Sequence, residues 1–275
     1  MKFELHCHSW HSKGKKIPTE GIDSPADLVK AAKKLGLGGI ALTDHSTNRG
    51  WKEAEQSSKK YSLIFIPAIE ISSKEGHIIG LGLNEHILSG LSIEETIDKI
   101  HAQGGLAVAA HPFDIRKEGL KEKSAKADVI EVFNSMNLDM FSNHAALRFA
   151  RKTHMPGIAG SDGHTKEMLG SCTNEIDAHD LDSSLREIRS GRVSFQTSYI
   201  PLEKLLPWVK RRFALSYPDV VRYIESNYWQ PKRWISEQLV HKFMNDRNER
   251  FWYWIGETGL AGARGYGLAR MLTAF

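Results

Sequence analysis

The sequence contains few cysteines and no long apolar segment. Among its 275 residues only 2 are cysteines, Cys7 and Cys172, which are too few for a disulfide framework and fit a reducing compartment. It has no run of about 18 apolar residues, so we expect no transmembrane helix. The chain begins with a strand-like segment rather than a charged and then apolar leader. We therefore expect no signal peptide and a cytoplasmic location.

Charge is nearly balanced, but it is unevenly distributed. The chain carries 37 Lys and Arg residues and 33 Asp and Glu residues, and residues 201–275 hold 12 of the former and 7 of the latter. Five of the 7 tryptophans also lie after residue 200. This change in composition predicts two parts, residues 1–200 and a basic, tryptophan-rich helical extension of residues 201–275. We expect its helices to break at Pro207, Pro218 and Pro231.

Residues 1–200 alternate between strand-like and helix-like segments. The first strand is expected at residues 2–8, and Ser24-Pro25 has the residue types that begin a helix. Short apolar runs separated by amphipathic helices are typical of a parallel sheet with helical crossovers. The number of such units predicts an α/β barrel, in which the carboxyl ends of the strands meet on one face.

Potential metal ligands follow one strand-like run after another. His6 and His8 are two positions apart on the first strand, so their side chains should lie on the same face. Histidine or carboxylate residues occur at the edges of five further runs: His45, Glu70, His77, His111, and Asp162 with His164. Each of these residues, taken alone, is more often a surface or capping residue than a ligand. Their recurrence, and a number that exceeds one tetrahedral site, predict two or three ions with a bridging carboxylate.

The motifs that carry these residues resemble those of a known family. ELHCHS, IALTDHS, AIEIS followed by GHIIGLG, AAHP, EVFNS and GSDGH occur in this order within residues 1–200. The ordered set resembles the PHP (polymerase and histidinol phosphatase) family of metal-dependent phosphoesterases. The resemblance implies a distorted seven-stranded barrel and a centre of two or three zinc, manganese or iron ions.

The resemblance also implies three sets of ligands that share Glu70. They are His6, His8, Glu70 and Asp162 for a first ion, Glu70 with His77 and His111 for a second, and His45 with His164 for a third. The family normally has one more acidic residue or histidine shortly after the H-x-H pair. Here that segment is long and basic, and Glu20 is our first candidate for the missing ligand, with His11 as the second.

From ions held in this way we expect hydrolysis of a phosphate ester by a metal-bound hydroxide. We expect Glu70, Asp162 and His111 in the catalytic centre. The expected substrate is a small phosphomonoester such as a nucleotide or histidinol phosphate. One alternative is a nuclease or phosphodiesterase that acts on single-stranded nucleic acid or nucleotides. Another is a catalytically inactive barrel that serves as a binding module.

Substrate contacts are less clearly indicated by the sequence. Candidates at strand ends or in nearby loops are Arg49, Arg116, Lys117 and Asn134, and Lys13, Lys15 and Lys16 could form a basic rim. For residues 201–275 we expect a helical cap on the barrel or a contact between copies of the chain. Nucleic-acid binding through basic and aromatic residues is the alternative, followed by a helix on a membrane surface.

Overall fold

The computed structural model describes residues 1–14 and 17–273, with side chains up to residue 270. Its strands are β1 (Lys2–Glu4), β2 (Gly39–Leu42), β3 (Ile64–Ser72), β4 (His77–Leu81), β5 (Leu106–Ala109), β6 (Val129–Asn134), β7 (Gly157–Gly160), β8 (Cys172–Ile176) and β9 (Val193–Thr197). Its α-helices are α1 (Pro25–Lys34), α2 (Trp51–Tyr61), α3 (Ile93–His101), α4 (Phe141–Thr153), α5 (Leu181–Arg189), α6 (Leu202–Leu215), α7 (Tyr217–Asn227), α8 (Lys232–Asn245) and α9 (Glu249–Thr273). A short 3-10 helix spans Lys121–Lys126.

The strands form one mixed sheet in the order β7-β6-β5-β4-β3-β2-β1-β8-β9. The expectation of a parallel sheet is wrong in part, because β4 runs antiparallel to both of its neighbours and β8 runs antiparallel to both β1 and β9. The sheet curls into a nearly closed α/β barrel followed by helices, which confirms the predicted architecture. Strands β1 to β7 account for the seven expected strands, and β8, which the sequence interpretation missed, pairs with β1 and, across the intervening helix α5, with β9.

The Asn174 side chain spans the remaining gap between β7 and β8. Its Nδ2 donates to the Ala159 carbonyl oxygen at 2.7 Å, and its Oδ1 accepts from the Ala159 backbone N–H at 2.9 Å. Backbone groups of a sheet edge that are buried need such partners. The amide therefore replaces the strand pairing that would complete the barrel.

Alternation along β3 separates the inner core from the outer one. Ile66 and Ala68 belong to an inner apolar cluster that includes residues of α5, whereas Ile69 and Ile71 pack in an outer cluster with α3. Glu70 follows Ala68 by two positions and therefore points to the inner side of the barrel. Its carboxylate lies above the inner apolar core.

The first strand is shorter than expected, since β1 ends at Glu4. The chain nevertheless stays close to β7 and its following loop, because Cys7 forms an isolated parallel bridge with Gly163. The helix predicted to begin at Ser24-Pro25 is present, with the Ser24 side chain accepting from the Asp27 backbone N–H.

As far as residue 273, the extension consists of four helices, and α6 packs against the barrel. Leu205 and Trp208 of α6 share an apolar cluster with Ile22 and Met168 of the first part. The predicted break at Pro207 is wrong, since α6 continues through this residue, whereas Pro218 and Pro231 lie at the starts of α7 and α8. Within the described residues, no helix combines the length and apolar character that a membrane span requires.

Candidate metal centre

Glu70 lies at the centre of a group of histidines. It is almost fully buried on β3, and five imidazoles surround its carboxylate. Oε2 is 3.3 Å from His6 Nε2, 3.3 Å from His8 Nε2 and 3.2 Å from His45 Nδ1, and Oε1 is 2.9 Å from both His77 Nδ1 and His111 Nε2. Each oxygen thus faces its own set of ring nitrogens, as a carboxylate that bridges two ions would.

Asp162 supplies a second carboxylate on the other side of the first histidine pair. Its Oδ1 lies 3.1 Å from His8 Nε2 and 3.6 Å from His6 Nε2. The Nδ1 atom of His164 is 3.9 Å from the same oxygen. The two histidines after β1 are therefore placed between Glu70 and Asp162.

The loop candidate Glu20 reaches the cluster. Its Oε2 is 3.2 Å from His45 Nε2, and its Oε1 is 3.7 Å from His164 Nε2. The second candidate, His11, instead accepts a hydrogen bond at Nε2 from Trp10 Nε1 at 3.1 Å, at the edge of the cavity. The structure therefore favours Glu20 over His11 as the residue that faces His45 and His164.

Several buried polar atoms in this cluster lack the contacts that buried groups normally have. Among the described residues, no hydrogen-bond partner is found for either ring nitrogen of His77 and His164, for Nδ1 of His111 or for Oε2 of Glu20. Three sets of possible ligand atoms lie within 4.8 Å of one another: His6, His8 and Glu70; His8, Asp162 and His164; and His45, Glu70 and His77. Convergent imidazoles and carboxylates, several of them with buried atoms that have no hydrogen-bond partner, fit a centre of several divalent ions.

A cavity of about 920 Å³ opens above this cluster. Two basic candidates from the sequence, Arg49 and Arg116, line its wall together with Lys13 and His11. Neither Lys117 nor Asn134 is among the described residues that line the cavity, so their proposed substrate contacts are not supported. Lys15 and Lys16, the other members of the expected basic rim, lie outside the described residues.

Comparison with known families accounts for both the fold and the cluster. A sequence model of the PHP domain matches residues 4–147, and a second, described as PHP-associated, matches residues 141–193. The chain belongs to the PHP family. The enzyme class expected from the motifs, a metal-dependent phosphoesterase, is confirmed.

Three curated PHP relatives differ in how much of their length this chain covers. An uncharacterized protein of Methanocaldococcus jannaschii is 42% identical over 154 residues, which make up 54% of this chain and 90% of that protein. A 5'-3' exoribonuclease of Haemophilus influenzae is 39% identical over 88 residues, or 30% of each chain. A 3',5'-nucleoside bisphosphate phosphatase of Chromobacterium violaceum is 35% identical over 85 residues, or 30% of this chain and 27% of that enzyme.

Solved structures show the same PHP fold at low sequence identity. A two-domain protein of Bacteroides vulgatus that contains a predicted PHP-like metal-dependent phosphoesterase superposes with a TM-score of 0.60 at 18% identity. The match covers 78% of this chain and 69% of that one.

Glu131 contacts two of the candidate ligands of this PHP centre on the side away from Glu70. The sequence interpretation missed this residue. Its Oε1 lies 2.7 Å from His6 Nδ1, and its Oε2 accepts from the His111 backbone N–H at 2.7 Å. The Asn134 Nδ2 group donates to Glu131 Oε2 at 3.0 Å and to Asp162 Oδ2 at 3.3 Å. Glu131 is an acidic residue within the apolar run of β6, a signal that could have identified it. Asn134 orients carboxylates rather than lining the cleft.

The loop after the histidine pair is held by two short side chains. Ser12 Oγ lies 3.1 Å from His8 Nδ1 and accepts from the His45 backbone N–H at 3.1 Å. Asp44 accepts from the Ser9 backbone N–H and from Ser9 Oγ, each at 2.6 Å. Ser12 contacts the His8 ring directly, whereas Asp44 holds the backbone that follows His8, and both contacts restrict the orientation of this histidine.

Two of the candidate ligands have unusual backbone conformations. His111 has a φ of 27° and Asp162 a φ of 50°, in the left-handed region that residues other than glycine rarely adopt. Such strain persists where the surrounding structure imposes it, and it is concentrated at functional sites. It turns both side chains into the cluster at the points where β5 and β7 have ended.

The electrostatics of the centre show strong coupling between carboxylates and imidazoles. Burial raises the pKa of Glu70, but the imidazoles around it, first His45 and His77, bring that pKa well below its ordinary value. Burial acts to lower the pKa of His8, yet contacts with Asp162 and Glu70 raise it to about 10. Burial lowers the pKa of His45 to about 4 although Glu70 opposes this. Because ligand imidazoles must be neutral, metal binding would replace protons held in this cluster.

We expect the Glu131→Gln variant to bind ions about 10- to 100-fold more weakly, as is common when the partner of a ligand histidine is changed. The carboxylate of Glu131 accepts through one oxygen at His6 and through the other at His111. Glutamine has a single acceptor oxygen, and its NH₂ group cannot accept a hydrogen bond, so one of these two contacts is lost. Isothermal titration of the metal-free protein with Mn²⁺ measures the change. The control is Glu175→Gln, an exposed mid-strand glutamate on β8. Equal affinities in Glu131→Gln and the parent would contradict a supporting role.

Proposed function

We propose that this protein hydrolyses a small phosphomonoester at a centre of two or three zinc, manganese or iron ions. The observation that carries the proposal is the Glu70 carboxylate, which is in contact with five histidines at the base of an open cavity. The proposed ligands are His6, His8, Glu20, His45, Glu70, His77, His111, Asp162 and His164. Their number and burial support a centre of more than one ion.

Bound divalent ions would activate a water molecule and offset the charge of the phosphate oxygens. The protein contributes neutral imidazoles in fixed orientations and a carboxylate, Glu70, shared between them. Glu131 and Asn134 hold His6 and Asp162 in place through buried hydrogen bonds. In this proposal, Glu70, Asp162 and His111 act in catalysis by contacting the ions directly.

Arg116 is the proposed contact for the substrate phosphate. It lines the cavity, and its Nη2 lies 3.7 Å from Asp162 Oδ2. Its Nε is 3.3 Å from Asp114 Oδ2 and 3.4 Å from Glu118 Oε2, so the guanidinium is held in one orientation. Burial acts to lower its pKa, but Asp162 and the other carboxylates raise that pKa above its ordinary value and keep the group charged. A fixed positive charge beside the ions favours the dianion of a phosphomonoester.

A nuclease or phosphodiesterase activity is the second candidate. One relative is named as a 5'-3' exoribonuclease and another as a nucleoside bisphosphate phosphatase, so both nucleic acid and small nucleotides occur as substrates of related proteins. The basic extension does not support binding of nucleic acid at the site, because none of its described residues lines the cavity. We therefore place the small substrate first.

The test is a panel of substrates with the parent and Arg116→Met. The parent is expected to cleave a nucleoside monophosphate or p-nitrophenyl phosphate with higher kcat/KM than bis-p-nitrophenyl phosphate or single-stranded RNA. Loss of the charged contact should lower kcat/KM for the monoester by about 10- to 100-fold. Arg151→Met on the exposed side of α4 is the control. Preferred cleavage of RNA would replace the first candidate with the second, and an inactive parent that contains metal would contradict both.

A further inference from the structure

Glu20 lies far along the connection between β1 and α1, 16 residues after the end of β1. His45, by contrast, is tied to β3 by an isolated bridge to Glu70. The loop with Glu20 contains an isolated bridge between Lys13 and Thr19, which links the loop to itself and not to the sheet. A side chain on a loop keeps its place only where other parts of the molecule hold that loop. The contacts of this segment therefore decide whether Glu20 can face His45 and His164.

Trp208 of α6 contacts both the backbone of Glu20 and the ring of His164. Its Nε1 donates to the Glu20 carbonyl oxygen at 2.9 Å. Its ring centroid lies 5.0 Å from that of His164. The side chain is 8% exposed, so the indole is fixed by packing with Ile22 and Met168. A single residue of the extension thus touches two of the residues proposed to hold the third ion.

Arg212 lies one turn further along the same face of α6. Its Nε donates to the Thr19 carbonyl oxygen at 2.7 Å, and its Nη2 donates to the Ile17 carbonyl oxygen at 3.4 Å. The same Nη2 is 4.0 Å from Glu20 Oε1, and the guanidinium lies over the Trp208 ring.

Ser216, which caps the end of α6, completes this line of contacts. Its Oγ accepts from the Thr19 backbone N–H at 3.1 Å. Trp208, Arg212 and Ser216 are spaced by four residues, so one helix face follows the loop along its length. Their partners are mainly backbone groups, and these contacts therefore fix the path of the chain that carries Glu20.

We propose that Trp208 and Arg212 are positioning residues that hold Glu20 against His45 and His164, so that binding of the third ion depends on the C-terminal extension. This inference rests on the proposed metal centre. It assigns α6 a role in positioning one of the proposed ligands. The extension then contributes to the site by holding a ligand loop, without lining the cavity itself.

The experiment measures ion binding step by step. Metal-free parent, Glu20→Gln, Arg212→Met and Trp208→Phe are titrated with Mn²⁺ by calorimetry, and bound ions are counted by elemental analysis. Glu20→Gln identifies the step that needs this carboxylate. Arg212→Met and Trp208→Phe should weaken that same step by about 10- to 100-fold and leave the tighter steps unchanged. Arg212→Lys, which keeps the charge, should restore part of the affinity.

Two comparisons separate positioning from a general structural role. Arg211→Met, a change at the neighbouring exposed arginine of α6, should bind every ion like the parent. Adding Arg212→Met to Glu20→Gln should cause no further weakening, because residues that act on one interaction are not additive. Parent-like binding by Arg212→Met, or an equal loss at every step, would overturn the inference and leave the metal centre intact. A parent that binds no ion would instead contradict the proposed function.

Discussion

The Glu70→Gln variant is expected to lose turnover by at least about 10³-fold, because a centre that contributes several kcal/mol to the transition state would be disrupted. The Glu70 carboxylate contacts five histidines, two through Oε1 and three through Oε2. Glutamine keeps the shape but offers a neutral oxygen on one side and an NH₂ donor on the other. Ions on the two sides would no longer share a negative charge. Initial rates on a phosphomonoester and ion content by elemental analysis measure the effect.

The matched control is Glu122→Gln, which removes an exposed carboxylate from the 3-10 helix. It should keep the parent's rate and ion content. Circular dichroism separates loss of the centre from loss of the fold, since the inner and outer apolar clusters do not include Glu70. A folded Glu70→Gln protein with the parent's ion content and turnover would exclude a bridging role for this carboxylate.

Removal of the ions with a chelator should abolish phosphoesterase activity while the barrel stays folded. The large apolar clusters lie outside the histidine and carboxylate cluster, so they continue to stabilise the protein. Each ion present at about 100 times its dissociation constant stabilises the folded state by about 2.7 kcal/mol, so Tm should fall by roughly 5–10 °C for each ion removed. The measurements are rates and thermal unfolding before and after dialysis against EDTA.

Restoring activity with single metals identifies the ion that the protein uses. After the chelator is removed by gel filtration, Mn²⁺, Zn²⁺ and Fe²⁺ are added to separate samples under anaerobic conditions, and a sample without added metal is the control. Activity should return with at least one ion and not in the control. Turnover by protein that elemental analysis shows to be free of metal would be incompatible with the proposed centre.

Most candidate ligands were predictable because their signal is local. His6, His8, His45 and His111 follow short apolar runs, and such runs are recognisable from a few neighbouring residues. The structure brings all four to the Glu70 carboxylate. The barrel and the helices after residue 200 were predictable on the same basis, from the alternation of segments and the change in composition.

Strand direction was not predictable from local pattern. His77 begins β4, and in an all-parallel sheet the start of a strand would lie at the edge away from the site. Because β4 is antiparallel to β3 and His77 is paired with Ser72, its first residue lies at the edge where β3 ends. The direction of a strand is decided by its hydrogen bonds to neighbouring strands. A run of apolar residues looks the same in a parallel and in an antiparallel strand.

Taken by itself, the sequence determined which residue types are available for the centre, their order along the chain and the family to which they belong. The tertiary structure decided which of them lie together. It places Glu131 against His6, keeps Asn134 out of the residues that line the cavity, and brings Glu20 rather than His11 to His45 and His164. The loop that carries Glu20 is contacted by Trp208, 188 positions away. The physical reason is that ligand type is a property of single residues, whereas loop paths and side-chain partners depend on contacts between distant segments.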